Sequence, residues 1–130
     1  MIVVDASAVL EALLRTPGAA SVEGRLFDPG ETLHAPHLID VEVAQVLRRY
    51  ARTGEADAER CRAALADMAD FPLARYPHDI LLPRIWELRD NLTAYDAVYI
   101  ALAEALDAPL LTRDRRLAAA PGHGARVELV

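Results

Sequence analysis

Residues 92–114 read LTAYDAVYIALAEALDAPLLTRD. From Tyr95 to Leu106 the chain is apolar on almost every side, through Ala97, Val98, Ile100, Ala101, Leu102, Ala103, Ala105 and Leu106. A helix with no polar face must be buried deep in its fold. Leu110-Leu111-Thr112 then predicts a short core strand that ends at Asp114.

Working outward, the same grammar recurs. Ile2-Val3-Val4 is a short apolar run stopped by Asp5, which predicts a buried first strand. A helix follows with Val9, Leu10, Leu13 and Leu14 on one stripe, broken at Pro17-Gly18. A second short helix is expected from Ala19 to Phe27, and Asp28-Pro29-Gly30 turns the chain. Leu33-His34-Ala35 is the next expected strand. Ile39, Val43, Val46, Leu47 and Tyr50 recur at helical spacing between Leu38 and Arg52. Further helices are predicted over Ala56–Met68 and Ile80–Arg89, with strands at Leu73–Tyr76 and Val127–Val130. Strands alternating with helices imply an α/β fold whose parallel sheet is covered on both faces. One domain over residues 1–130 is expected, with no repeat, linker or low-complexity segment.

Composition removes several classes of function. No apolar run approaches the ~18 residues of a membrane span, and Met1–Asp5 meets an acid too early for a signal peptide. Cys61 is the single cysteine, so no disulfide forms within the chain. His34, His37, His78 and His123 lack zinc-motif spacing. A cytoplasmic location is the expectation. All 14 basic residues are arginine. A P-loop nucleotide site and Schiff-base chemistry, both built on lysine, are therefore excluded in their usual form. The net charge of −6 argues against holding nucleic acid by bulk electrostatics. An acidic site can still receive phosphate when a metal ion reverses the local sign.

Four acids stand out. Asp5 and Asp114 end predicted strands, where open α/β sheets place their sites. Each also suits a helix N-cap, with Ser7 an alternative cap for the first helix. Asp96 lies three residues after Thr93, at capping-box spacing, yet opens the most apolar helix in the chain. Glu42 falls on the buried-looking side of its helix, in a chain without lysine, so that only an arginine could neutralise it as an ordinary ion pair. If the four converge, each pair repels by about 4 kcal/mol at 4 Å with an effective dielectric near 20. Something cationic must offset that. Oxygen-only donors point to Mg2+ or Mn2+.

At these residues the chain resembles a known family. Ile2-Val3-Val4-Asp5-Ala6-Ser7-Ala8 is similar to the opening motif of PIN domains, and Glu42 to their second acid. Leu92-Thr93-Ala94-Tyr95-Asp96-Ala97, continuing through Tyr99-Ile100-Ala101-Leu102-Ala103, resembles the third motif; Leu111-Thr112-Arg113-Asp114 resembles the fourth. The likeness spans the chain and is best to VapC toxins of toxin–antitoxin pairs. It implies a PIN-like three-layer α/β/α sandwich with a short, mostly parallel central sheet. It implies a Mg2+- or Mn2+-dependent endoribonuclease, inhibited by a VapB-type antitoxin and acting on RNA such as tRNA or rRNA. Apolar surface on the first helices and on the Leu38–Met68 helical pair is expected to dock the antitoxin and a second copy, giving a homodimer. Asp5 and Asp96 are then the expected direct metal ligands, with Glu42 and Asp114 completing the catalytic site. Ser7 and Thr112 are expected to support them. Arg113, Arg115 and Arg116 are candidate contacts to RNA phosphates, since arginine suits bidentate phosphate recognition. Two other readings stay open. One is a catalytically inactive PIN-like binding module acting through its protein partner. The other is an aspartyl-phosphate phosphatase, which lacks its usual second aspartate here (Ser7) and its lysine.

Overall fold

Ile2–Val4 forms β1 and is fully buried, as a parallel strand flanked on both sides must be. The computed structural model describes residues 1–130. β1 leads into α1 (Ala6–Leu14) and α2 (Ala19–Leu26), then β2 (Leu33–Pro36), α3 (Leu38–Thr53) and α4 (Ala58–Ala69). After β3 (Leu73–Tyr76) come a 3-10 turn at Asp79–Leu81, α5 (Leu82–Glu87) and α6 (Ala94–Leu106). β4 (Leu110–Thr112), α7 (Arg115–Ala119) and β5 (Val127–Leu129) complete the chain.

The five strands lie in the order β3-β2-β1-β4-β5, and every pairing is parallel. The expected mostly parallel sheet is therefore wholly parallel. The chain steps outward from β1 to β2 and β3, then crosses back over the sheet to β4 and β5. Crossovers between parallel strands are right-handed, so reversing direction moves the helices to the opposite face. Accordingly α1, α2, α3 and α4 pack together, while α5 packs on α6. This is the three-layer α/β/α arrangement. The reversal falls between β1 and β4, where the turns leaving the two strands diverge and open a crevice.

α6 is buried continuously from Ala97 to Ala103. It touches β1, β2 and β4 beneath it and α5 above, which is why it has no polar side to spare. One cluster of 32 buried residues runs through both faces of the sheet, so the helical layers share a core with the strands. The helix expected over Ile80–Arg89 is shorter and broken. Pro83 occupies the first turn of α5 and supplies no N–H to a preceding turn, so the α-helix starts there, after a 3-10 turn. His34 sits buried in β2 with its ring bridging the Tyr76 hydroxyl (2.6 Å from Nδ1) and the Thr32 hydroxyl (2.7 Å from Nε2). No helix is long and apolar enough to cross a membrane.

Candidate metal centre

The turns leaving β1 and β4 are sewn together around one carboxylate. Asp5 caps α1: its Oδ1 accepts the Ala8 N–H at 3.0 Å and the Ser7 hydroxyl at 2.6 Å. Its Oδ2 accepts the Thr112 hydroxyl. Both hydroxyls then act as acceptors in turn. Ser7 Oγ takes the Arg113 N–H at 2.9 Å, and Thr112 Oγ1 takes the Asp114 N–H at 2.9 Å. Asp5 is thus cap and site residue at once, with Ser7 supporting it rather than replacing it. Three donors fix its carboxylate within a side chain that is 6% exposed.

Asp114 ends β4 and caps α7, its Oδ1 accepting the Arg116 and Leu117 N–H groups. Thr93 caps α6 by accepting the Asp96 N–H at 3.2 Å. This cap uses the backbone of Asp96 and leaves its half-buried carboxylate out of the cap. Glu42 projects from the first turns of α3, also half-buried. No arginine pairs with it. Its partner is Tyr99, one turn beyond Asp96 on α6, whose hydroxyl donates to Glu42 Oε1.

The four acids feel one another. Burial pushes the Asp5 carboxyl above its ordinary range against three stabilising hydrogen bonds, and the charge of Asp114 adds to the rise. Burial likewise raises Glu42, with Asp5 and Asp96 contributing further. Asp96 is raised by burial and by Asp114, with Thr93 and Arg116 pulling the other way. Burial and the neighbouring Glu42 push the Tyr99 phenol far up, so it remains a proton donor at any physiological pH. The carboxylates lie near enough for their charges to act on one another without closing into a tight cage: no three His, Cys, Asp or Glu side chains stand as a ready-made metal-ligand cluster. The donor set fits a hard, oxygen-seeking divalent cation. It contains carboxylates only, and their charged forms are held at a cost that a cation relieves.

The structure separates the three arginines that flank Asp114. Arg113 is committed elsewhere: its Nη1 donates to the Val130 carbonyl at 2.7 Å, and its Nε lies 3.4 Å from Glu11. Arg115 and Arg116 are exposed and carry no carboxylate partner. Tyr99 is the site residue that sequence reasoning missed. Its signal was present, since it follows Asp96 by three positions and so shares its helix face.

The acids' repulsion has a measurable consequence. An acid whose folded pKa is raised binds more protons in the native state than in the unfolded one, so stability falls as pH rises through that window. Above it the strain is fully present. Glu42→Gln keeps an oxygen for the Tyr99 hydroxyl and removes one charge. At pH 7.5 without added metal, its Tm is expected to rise by roughly 2–5 °C. The gain should vanish near pH 4, where Glu42 is protonated anyway. His34, whose pKa burial depresses, contributes oppositely but equally in both proteins. A Tm at pH 7.5 that is lower in Glu42→Gln would contradict the placement of Glu42 among like charges.

Comparison with known proteins converges on one group. A family model described as the PIN domain matches residues 2–122. The chain is 47% identical over 129 residues to a protein named ribonuclease VapC1 from Mycobacterium tuberculosis, covering 98% of this chain and 96% of that protein. It is 50% identical over 117 residues to VapC ribonuclease Mb0985 from Mycobacterium bovis, covering 90% and 88% respectively. Among solved structures, VapBC2 from Rickettsia felis, bound to a DNA fragment from its promoter, superposes with a TM-score of 0.71. That match is 16% identical and covers 99% of this chain and 98% of the other.

Proposed function

The chain belongs to the PIN-domain family, and on that premise we propose that it is a VapC-type toxin: a Mg2+- or Mn2+-dependent endoribonuclease held in check by a VapB-type antitoxin. What supports this reading is that Asp5, Glu42, Asp96 and Asp114 lie near enough for their charges to act on one another beside the point where strand order reverses. The names of the near-full-length relatives support the activity, and the toxin–antitoxin complexes of the same fold support the partner.

Each residue has a role in this reading. Asp5 and Asp96 hold the cation most directly, with Glu42 and Asp114 completing the site. When bound, the cation neutralises the facing phosphate and lowers the pKa of a water at the site toward neutrality. Ser7 and Thr112 keep the Asp5 carboxylate in one orientation, so that little reorganisation is left for the reaction. Tyr99 occupies Glu42 Oε1, which leaves Oε2 without a protein donor and free to accept the proton of the attacking water. Hydrolysis then needs no 2′-hydroxyl attack, and preference for RNA rests on the shape of the substrate.

An acidic crevice in a chain of net charge −6 also suits a cationic inhibitor segment, such as an arginine-bearing antitoxin tail. A homodimer and a cytoplasmic location belong to the same proposal. The test is cleavage of total RNA by the purified chain. Discrete fragments should form with Mn2+ and stop forming when the metal is chelated. Cleavage that continues undiminished in excess chelator would refute the metal-dependent reading, and no cleavage of any RNA would favour a binding module.

A further inference from the structure

We propose that a cavity beside Asp96, walled by Arg116 and Asn91, is the subsite that grips an RNA phosphate neighbouring the one being cleaved. The inference rests on the ribonuclease reading and goes beyond it in naming where the substrate backbone is held. The cavity, about 260 Å3, opens between the start of α6 and the α7 segment, and Asp96 is part of its wall. It therefore adjoins the acidic crevice without being it. Leu117 is buried against its floor.

Its polar lining sets Arg116, Asn91 and Thr93 beside one acid, Asp96. Arg116 forms no salt bridge, although arginines 25, 62, 75, 84, 113 and 126 all do. With no carboxylate paired to it, its guanidinium is available to an anion in the cavity. The exposed Asn91 amide makes no hydrogen bond within the protein. Gly122 has a φ of +88°, and a Cβ there would meet Asn91 Nδ2 at 2.5 Å. This glycine leaves the room that the Asn91 amide occupies beside the cavity. Thr93, whose hydroxyl accepts the Asp96 N–H, lines the same cavity. Asp96 is the only acid in the wall, and the positive charge of Arg116 acts on its carboxyl. A tetrahedral anion matches a guanidinium and an amide presented together. In a polynucleotide the anion next to a scissile phosphate is another phosphate.

Steady-state cleavage of a short fluorogenic RNA tests this in Mn2+. Arg116→Ala is expected to raise KM by about tenfold with little change in kcat. It should also flatten the dependence of log(kcat/KM) on log[salt] by roughly 0.7, the release expected for one single-strand phosphate contact. Asn91→Ala should raise KM less and leave the salt slope alone. Arg116→Lys should recover the slope and part of KM, because the contact is to charge. Arg62→Ala, on the exposed face of α4, controls for net charge and should change nothing. Fluorescence anisotropy with the same RNA labelled, on the Glu42→Gln background, reads binding separately from cleavage. Arg116-dependent affinity there supports the subsite even if wild type proves unable to cleave, an outcome that would defeat the ribonuclease reading alone. An unchanged KM and salt slope in Arg116→Ala, an equal effect from Arg62→Ala, or no RNA binding by any form would overturn the proposal.

Discussion

Asp96→Asn should lower RNA cleavage by about 10²–10³-fold or more while leaving the fold intact. The size follows from the position. In the proposed reading Asp96 is one of the two carboxylates that would hold the cation, and its amide isostere carries no charge to do so. The fold should survive because the α6 cap runs from the Asp96 N–H to the Thr93 hydroxyl, a bond the substitution does not touch. The metal-free variant should melt no lower than wild type, since one member of a mutually repelling set has been neutralised. Activity and stability therefore move in opposite directions. A variant that loses both would place Asp96 in the folding scaffold rather than in the chemistry.

Ile100→Ala should cost about 2–5 kcal/mol of stability, the range for emptying a buried aliphatic site. Ile100 is wholly inaccessible to solvent, at the centre of the helix that spans β1, β2 and β4. Close-packed surroundings there leave little room to collapse into the void. The urea midpoint should fall with an unchanged m-value. α6 carries Asp96 and Tyr99 on its first turns, so the same loss of packing should weaken Mn2+ binding near the melting range and much less well below it. A cost under about 1 kcal/mol would mean that α6 is not the central support of the crevice.

The layout of the fold was legible because burial writes plainly in sequence. A helix without a polar face, Tyr95–Leu106, and two apolar runs each stopped by an acid, Ile2–Val4 and Leu110–Thr112, named the centre of the sheet and its carboxyl edge. The candidate acids were legible for the same reason: charge at the margin of apolar segments requires compensation. What stayed hidden was pairing over distance. Tyr99 lies 57 residues from Glu42, and only the crossing of α3 and α6 brings the hydroxyl to the carboxylate. Three arginines around Asp114 looked alike as sequence, yet the chain terminus and α1 claim Arg113, while Arg116 turns to the cavity beside Asp96. The helix caps also misled in a useful way. Asp5 and Asp114 do cap helices, and capping is what fixes their carboxylates at the crevice. For Asp5, the helix cap and the proposed catalytic service are two uses of one carboxylate.

A divalent cation held among the four acids is the centre of the proposed function. Anomalous diffraction from crystals soaked in Mn2+ measures this directly. A peak is expected in the crevice between the ends of β1 and β4, within ligand distance of Asp5 and Asp96, and it should disappear in Asp96→Asn. Mn2+ bound only elsewhere on the chain, or a crevice peak that persists undiminished in that variant, would contradict it.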